Sequence, residues 1–115
     1  MSLKIGVNGA GGRMGRRVVA LTMQDQELSL TAALEHSACP FLGQDAGELA
    51  GAGRASVPLC SSLEHAVDAI IDFSTPEGLH SVLQLCESRR IPLVVATTGL
   101  TGEQRQAVLV AAQTT

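Results

Sequence analysis

The sequence predicts an α/β fold, a doubly wound parallel sheet, from three observations. Short apolar runs at 3–8, 28–34, 69–73 and 93–96 alternate with stretches whose apolar residues recur at helical spacing. A glycine turn, Gly9-Ala10-Gly11-Gly12-Arg13-Met14-Gly15, joins the first run to the first helical stretch. An acidic residue, Glu35, closes the second run about 20 residues beyond Gly15. Strand, glycine turn, helix and a second strand ending in an acid form the arrangement of a Rossmann-like dinucleotide-binding unit. Its glycines permit a tight bend and close approach to a pyrophosphate, and the new helix offers free N–H groups to the phosphates. The acid accepts hydrogen bonds from the adenosine ribose. The plain alternative is a glycine-rich turn that holds no ligand.

The first helix is expected over 12–24, with Met14, Val18 and Leu21 on its inner face. In the second strand Leu28, Leu30, Ala32 and Leu34 alternate with Ser29, Thr31 and Ala33. A long glycine-rich connection, 36–56, follows, and long connections in compact domains are often functional. Ser61-Ser62-Leu63-Glu64 fits a capping box and predicts a short helix. The run Ala69 to Phe73 is continuously apolar but for Asp72, as in a strand buried on both faces. Thr75-Pro76-Glu77 opens a helix: threonine can cap, proline suits the first turn and glutamate complements the dipole. Its inner face is expected to be Leu79, Val82, Leu83 and Cys86. Leu93 to Ala96 predicts another buried strand, and Thr101-Gly102-Glu103-Gln104 a second capping box that opens a final helix. The next element of such an alternation is a strand, so residues 1–115 are expected to be one domain cut before its architecture is complete.

Composition narrows the function. With 115 residues, 45% apolar and 17% charged, the chain can bury a core of its own. A net charge of −3 with no Trp or Tyr and 2 Phe argues against a nucleic-acid partner. No apolar run reaches the length of a membrane span, and no secretory signal pattern opens the chain. Cys39, Cys60 and Cys86 are odd in number and widely spaced, which suits reduced thiols in a cytoplasmic protein better than a disulfide framework or a metal site. His36, His65 and His80 are isolated from one another, and no catalytic residue is assigned within the chain.

Taken together, the segments resemble the 4-hydroxy-tetrahydrodipicolinate reductase family, also called dihydrodipicolinate reductase, of lysine and diaminopimelate biosynthesis. The resemblance runs from Lys4 to Ala112. It rests on the Gly-Arg-Met-Gly form of the turn, Ala32-Ala33-Leu34-Glu35, Gly43-Gln44-Asp45-Ala46-Gly47-Glu48, Asp72-Phe73-Ser74-Thr75-Pro76-Glu77-Gly78 and Thr97-Thr98-Gly99. It implies that NADH or NADPH binds here. Gly9, Gly12, Arg13 and Met14 would meet the pyrophosphate, Glu35 the ribose, and Phe73 the groove wall. Thr97, Thr98 and Gly99 would meet the nicotinamide. It also implies a cytoplasmic homotetramer whose second domain, not evident here, clamps a small dicarboxylate substrate and supplies a paired-His motif with a nearby Lys. Alone, this chain is expected to be inactive. Two positions depart from the family pattern. Ala96 stands where a glycine usually precedes Thr-Thr-Gly, and His36 where many members carry Arg after the ribose acid. A neutral His offers little charge to a 2′-phosphate compared with Arg. The alternative class is a non-catalytic nucleotide-binding unit, redox-sensing or CoA-binding. It would need a partner surface, and the sequence offers neither a basic helix nor an aromatic patch.

Overall fold

A computed structural model describes residues 3–95. Ala96, Thr97, Thr98, Gly99 and the final helix expected from Thr101 lie outside the described residues. Within them the order is β1 (Leu3–Asn8), α1 (Arg13–Gln24), β2 (Leu28–Leu34), α2 (Ala46–Leu49), β3 (Leu59–Cys60), β4 (Ala69–Asp72), α3 (Pro76–Arg89) and β5 (Leu93–Val95). The strands form one sheet in the order β3-β2-β1-β4-β5, and every neighbouring pair is parallel. The chain winds outward through β1, β2 and β3, then crosses back to place β4 beside β1. The sheet therefore has its switch point between β1 and β4, where open α/β sheets hold ligands at the carboxyl ends of the strands.

Side-chain alternation covers both faces. Ile5, Val7 and Ala33 join Val19 of α1 in one core cluster. Ala32, Leu34 and Ile70 point the other way and join Leu79, Val82 and Cys86 of α3 in a second. The inner face of α3 is the one its sequence predicts, and Thr75 caps it by accepting a hydrogen bond from the Gly78 N–H. Pro76 at its start and Arg90 in a left-handed C-cap (φ 55°) set its ends.

The face of α1 matches expectation at Val18, half-buried against the first core cluster, and departs from it elsewhere. Gly15, Val19 and Thr22 are buried, whereas Met14 and Leu21 are 50% and 60% exposed. Gly15 decides this. A Cβ there would fall 1.8 Å from the Gly9 carbonyl oxygen, so the helix presses its glycine against the turn and every other position rotates accordingly. The Ser61-Ser62-Leu63-Glu64 segment also departs from expectation: it is bent chain, not helix. Residues 61–68 must step back over β2 and β1 to reach β4, about 14 Å at ~4.8 Å per strand, and return along the sheet as well. A helix of that stretch advances only about 12 Å, so the chain crosses without forming one and buries Leu63 on the way. In β5 Val94 is 57% exposed and its neighbours half-buried, so this strand is less covered than its apolar run suggests.

The 36–56 connection is ordered. Asp45 caps α2 by accepting from the Glu48 N–H (3.1 Å), and it also accepts from the N–H groups of Ala55 (2.8 Å) and Val57 (2.9 Å). These bonds, led by the one from Ala55, hold its carboxyl below the ordinary value of 3.8 despite some desolvation. Phe41, Leu42, Leu49 and Val57 pack against the first core cluster, so the segment closes the open side of that core.

Candidate functional site

The glycine turn is fixed by its own backbone and by side chains behind it. The N–H groups of Gly9 and Ala10 both donate to the Leu34 carbonyl (2.9 and 3.1 Å), and the Gly12 N–H donates to the Gly9 carbonyl (3.0 Å). Gly9 has φ +84°, and a Cβ on it would lie 2.3 Å from the Phe73 carbonyl oxygen. Gly9 and Gly15 are thus required by the fold itself. Gly12 is not: its φ of −81° suits any residue, and a Cβ would meet only the Gly9 oxygen at 3.4 Å. Gly12 is also the N-cap of α1, supplies no side-chain acceptor, and is followed by no acidic residue in the first turn. Arg13 and Met14 stand exposed beside it.

Glu35 reaches this turn from the carboxyl end of β2. Its Oε2 accepts from the Gly11 N–H (3.0 Å) and its Oε1 from the His36 N–H (3.1 Å). The carboxylate is only 13% exposed, whereas the His36 side chain is 66% exposed with its Nε2 3.9 Å from Oε1. His36 is therefore an exposed neighbour in loose contact with the acid.

The carboxyl ends of β1 and β4 are joined by a buried polar cluster. Asn8 Nδ2 donates to Asp72 Oδ1 (2.8 Å), to Ser74 Oγ (3.2 Å) and to the Gly78 carbonyl (3.2 Å). Ser74 Oγ donates to Asp72 Oδ1 (2.6 Å), and the Phe73 N–H donates to the Asn8 carbonyl (3.0 Å). A Cβ on Gly78 would meet Ser74 Oγ at 2.6 Å, so α3 can begin this close only because that position is glycine. This cluster ties the glycine turn to the first turn of α3 across the switch point.

Between these walls lies a cleft of about 710 Å³, within the range of ligand pockets. Leu34, Leu63, Val82 and Leu85 give it an apolar side, and Glu35, His36 and Ser62 a polar one. Of the residues singled out in the sequence, Glu35 and His36 line the cleft. Gly9 and Gly12 sit in the adjoining glycine turn, Arg13 and Met14 open α1, Phe73 follows β4, and Thr97, Thr98 and Gly99 lie outside the described residues. The sequence assigns no site role to Asn8, Asp72, Ser74 or Arg16, although Asp72 and Ser74 stand within a motif segment. Asn8 and Asp72 carried a signal, a polar residue ending an apolar strand, whereas Arg16 carried none.

Other chemistries find little support. Among the described residues no group of three or more His, Cys, Asp or Glu side chains could hold a metal ion. The cysteines are unbridged. Cys39 and Cys86 are buried, and burial together with nearby Asp72 pushes the Cys86 thiol up to about 11. A thiol that stays protonated at neutral pH is a poor nucleophile. His65 and His80 are exposed. No described helix is long and apolar enough to cross a membrane.

With this geometry, residues 3–115 match the family model described as "Dihydrodipicolinate reductase, N-terminus". The 4-hydroxy-tetrahydrodipicolinate reductase of Halorhodospira halophila is 44% identical over 94% of this chain and 42% of its own length. That of Methylococcus capsulatus is 40% identical over 98% of this chain and 43% of its own length. The chain thus spans about two fifths of the relatives it matches. Among solved structures, dipicolinate-bound dihydrodipicolinate reductase from Paenisporosarcina sp. TG-14 superposes with a TM-score of 0.72 at 26% identity, covering 97% of this chain and 43% of that one. Aspartate semialdehyde dehydrogenase with NADP from Candida albicans, at 14% identity, shares the fold with a TM-score of 0.69 over 85% of this chain and 30% of its own.

Proposed function

The chain belongs to the family of dihydrodipicolinate reductase N-terminal regions, and on that premise we propose that its glycine turn and cleft bind a reduced nicotinamide dinucleotide, NADH or NADPH, for a reductase of lysine and diaminopimelate biosynthesis. Gly12 carries the reading. Nothing in the fold requires a glycine there, whereas a phosphate resting on the uncapped start of α1 would require the space to stay empty. The bound dinucleotide supplies a hydride.

The chain's own residues bind and orient. The N–H groups that open α1 receive the pyrophosphate, with Arg13 adding positive charge beside it. Glu35, held by Gly11 and His36, accepts from the ribose hydroxyls. The apolar side of the cleft accommodates the adenine, and Phe73 borders the turn. Thr97, Thr98 and Gly99 are proposed to meet the nicotinamide. Residues 1–115 are proposed to form a single cofactor domain. Binding of a small dicarboxylate and delivery of the proton are proposed for the remainder of a longer, cytoplasmic, tetrameric enzyme, since this chain covers only 42% and 43% of the relatives' own length.

Titration calorimetry of the full chain with NADH and NADPH tests this reading. Saturable binding that ADP-ribose displaces is expected. Absence of binding, or binding that ADP-ribose leaves untouched, would contradict it.

A further inference from the structure

Arg16 lies one turn into α1, and its Nε–H donates to the Gly11 carbonyl at 2.9 Å. Its guanidinium carbon lies 5.4 Å from the centre of the Phe41 ring, within cation–π range. We propose that Arg16 is a positioning residue for the phosphate-binding turn and that Phe41, carried by the 36–56 segment, holds it in place. The proposal rests on the cofactor reading above.

Three hydrogen bonds fix the Gly11-Gly12 link. Two successive glycines have the greatest backbone freedom of any pair, so the turn needs external holders to keep one shape before ligand arrives. The Gly11 N–H is held by Glu35 Oε2, the Gly11 carbonyl by Arg16, and the Gly12 N–H by the Gly9 carbonyl. These polar groups are thereby engaged within the protein. Charge adds a second reason. The Glu35 carboxylate that grips Gly11 would repel a pyrophosphate nearby, and the guanidinium on the same glycine offsets that field.

Phe41 is well placed to hold Arg16. It is half-buried against the first core cluster, and its carbonyl accepts from the Gln44 N–H at 3.1 Å. The Asp45 cap anchors the same segment a few residues on. The long connection thus does more than close the core: it presents a ring to the arginine that steadies the turn.

The full 115-residue chain can be titrated with ADP-ribose, which carries the pyrophosphate, and with adenosine, which carries none, by calorimetry and chemical-shift perturbation. Arg16→Met is expected to weaken ADP-ribose on the order of tenfold and to leave adenosine unchanged. Phe41→Leu should lose less, and the double variant no more than Arg16→Met alone, since the ring acts through the arginine. Wild-type affinity for ADP-ribose in Arg16→Met, equal losses for both ligands, or additive losses in the double variant would each overturn the proposal. A wild-type chain that binds neither ligand would overturn the cofactor reading instead. The clamp is then judged without ligand, by hydrogen exchange at the Gly11 and Gly12 amides. Exchange should accelerate about tenfold in Arg16→Met, and unchanged exchange would overturn the clamp.

Discussion

Glu35 accepts the Gly11 N–H at 3.0 Å, so the acid proposed to read the ribose also braces the turn proposed to hold the pyrophosphate. Two parts of one ligand site are joined by a single carboxylate, 13% exposed. A change at Glu35 should therefore alter the choice between cofactors and the stiffness of the turn together.

Glu35→Gln keeps an acceptor for Gly11 but removes the charge. The carboxylate repels a 2′-phosphate and favours ribose hydroxyls. NADH affinity should fall by roughly tenfold, the order expected for losing a charged hydrogen bond, while NADPH gains relative to it. Dissociation constants for both cofactors check this, and an unchanged ratio would contradict it.

Asn8 and Asp72 are buried, and Asn8 donates to the carboxylate, to Ser74 and to the start of α3. Asn8→Ala removes one donor from a buried carboxylate and loosens the join between the glycine turn and α3. Urea denaturation should show a loss of about 2–3 kcal/mol. A loss within ~0.5 kcal/mol, as for an ordinary surface change, would mean the cluster matters little.

Stability should depend on pH at both extremes. The Asp45 carboxyl sits below 3.8 in the folded state, so its contribution is present above that value and is lost as pH falls through the lowered one. The Cys86 thiol moves the opposite way, from 9.0 up to about 11. Its contribution is complete below 9.0, where both states are neutral, and drains away between 9.0 and about 11 as the unfolded thiol ionises first. Thermal melts against pH should flatten on the acid side in Asp45→Asn and on the alkaline side in Cys86→Ala. An alkaline slope unchanged in Cys86→Ala would assign that loss to another group.

Much of this molecule is legible in the sequence because its strands are short, apolar and flanked by strong punctuation. Thr75-Pro76 starts α3, and Leu79, Val82, Leu83 and Cys86 form its buried face as their spacing implies. The misreadings have physical causes. Hydrophobicity favours Met14 and Leu21 as the inner face of α1, but close approach at Gly15 sets the rotation and leaves both exposed. The capping box at Ser61 is locally sound, yet the distance from β3 back to β4 exceeds what a short helix can span. β3 has only two residues and α2 four, too few for any periodicity to register. In the site, Glu35 stands out by its spacing from the turn. The Arg16 contact with Gly11 depends on side-chain direction, which spacing along the chain does not reveal.

If the start of α1 is shaped for a phosphate, Gly12 is the position at which a side chain should block binding and spare the fold. Gly9→Ala should destabilise the fold, because φ is +84° and the Phe73 carbonyl lies 2.3 Å from the new Cβ. Gly12→Ala meets only an ordinary contact at 3.4 Å, so it should keep the native far-ultraviolet circular dichroism and lose only the modest stability of exchanging glycine for alanine at a helix N-cap. NADH binding to Gly12→Ala, followed by calorimetry beside the wild type, is the decisive measurement. A native fold is expected, with binding lost or weakened at least tenfold, the order expected when a phosphate is pushed off its charged hydrogen bonds. Wild-type affinity in a natively folded Gly12→Ala would contradict it.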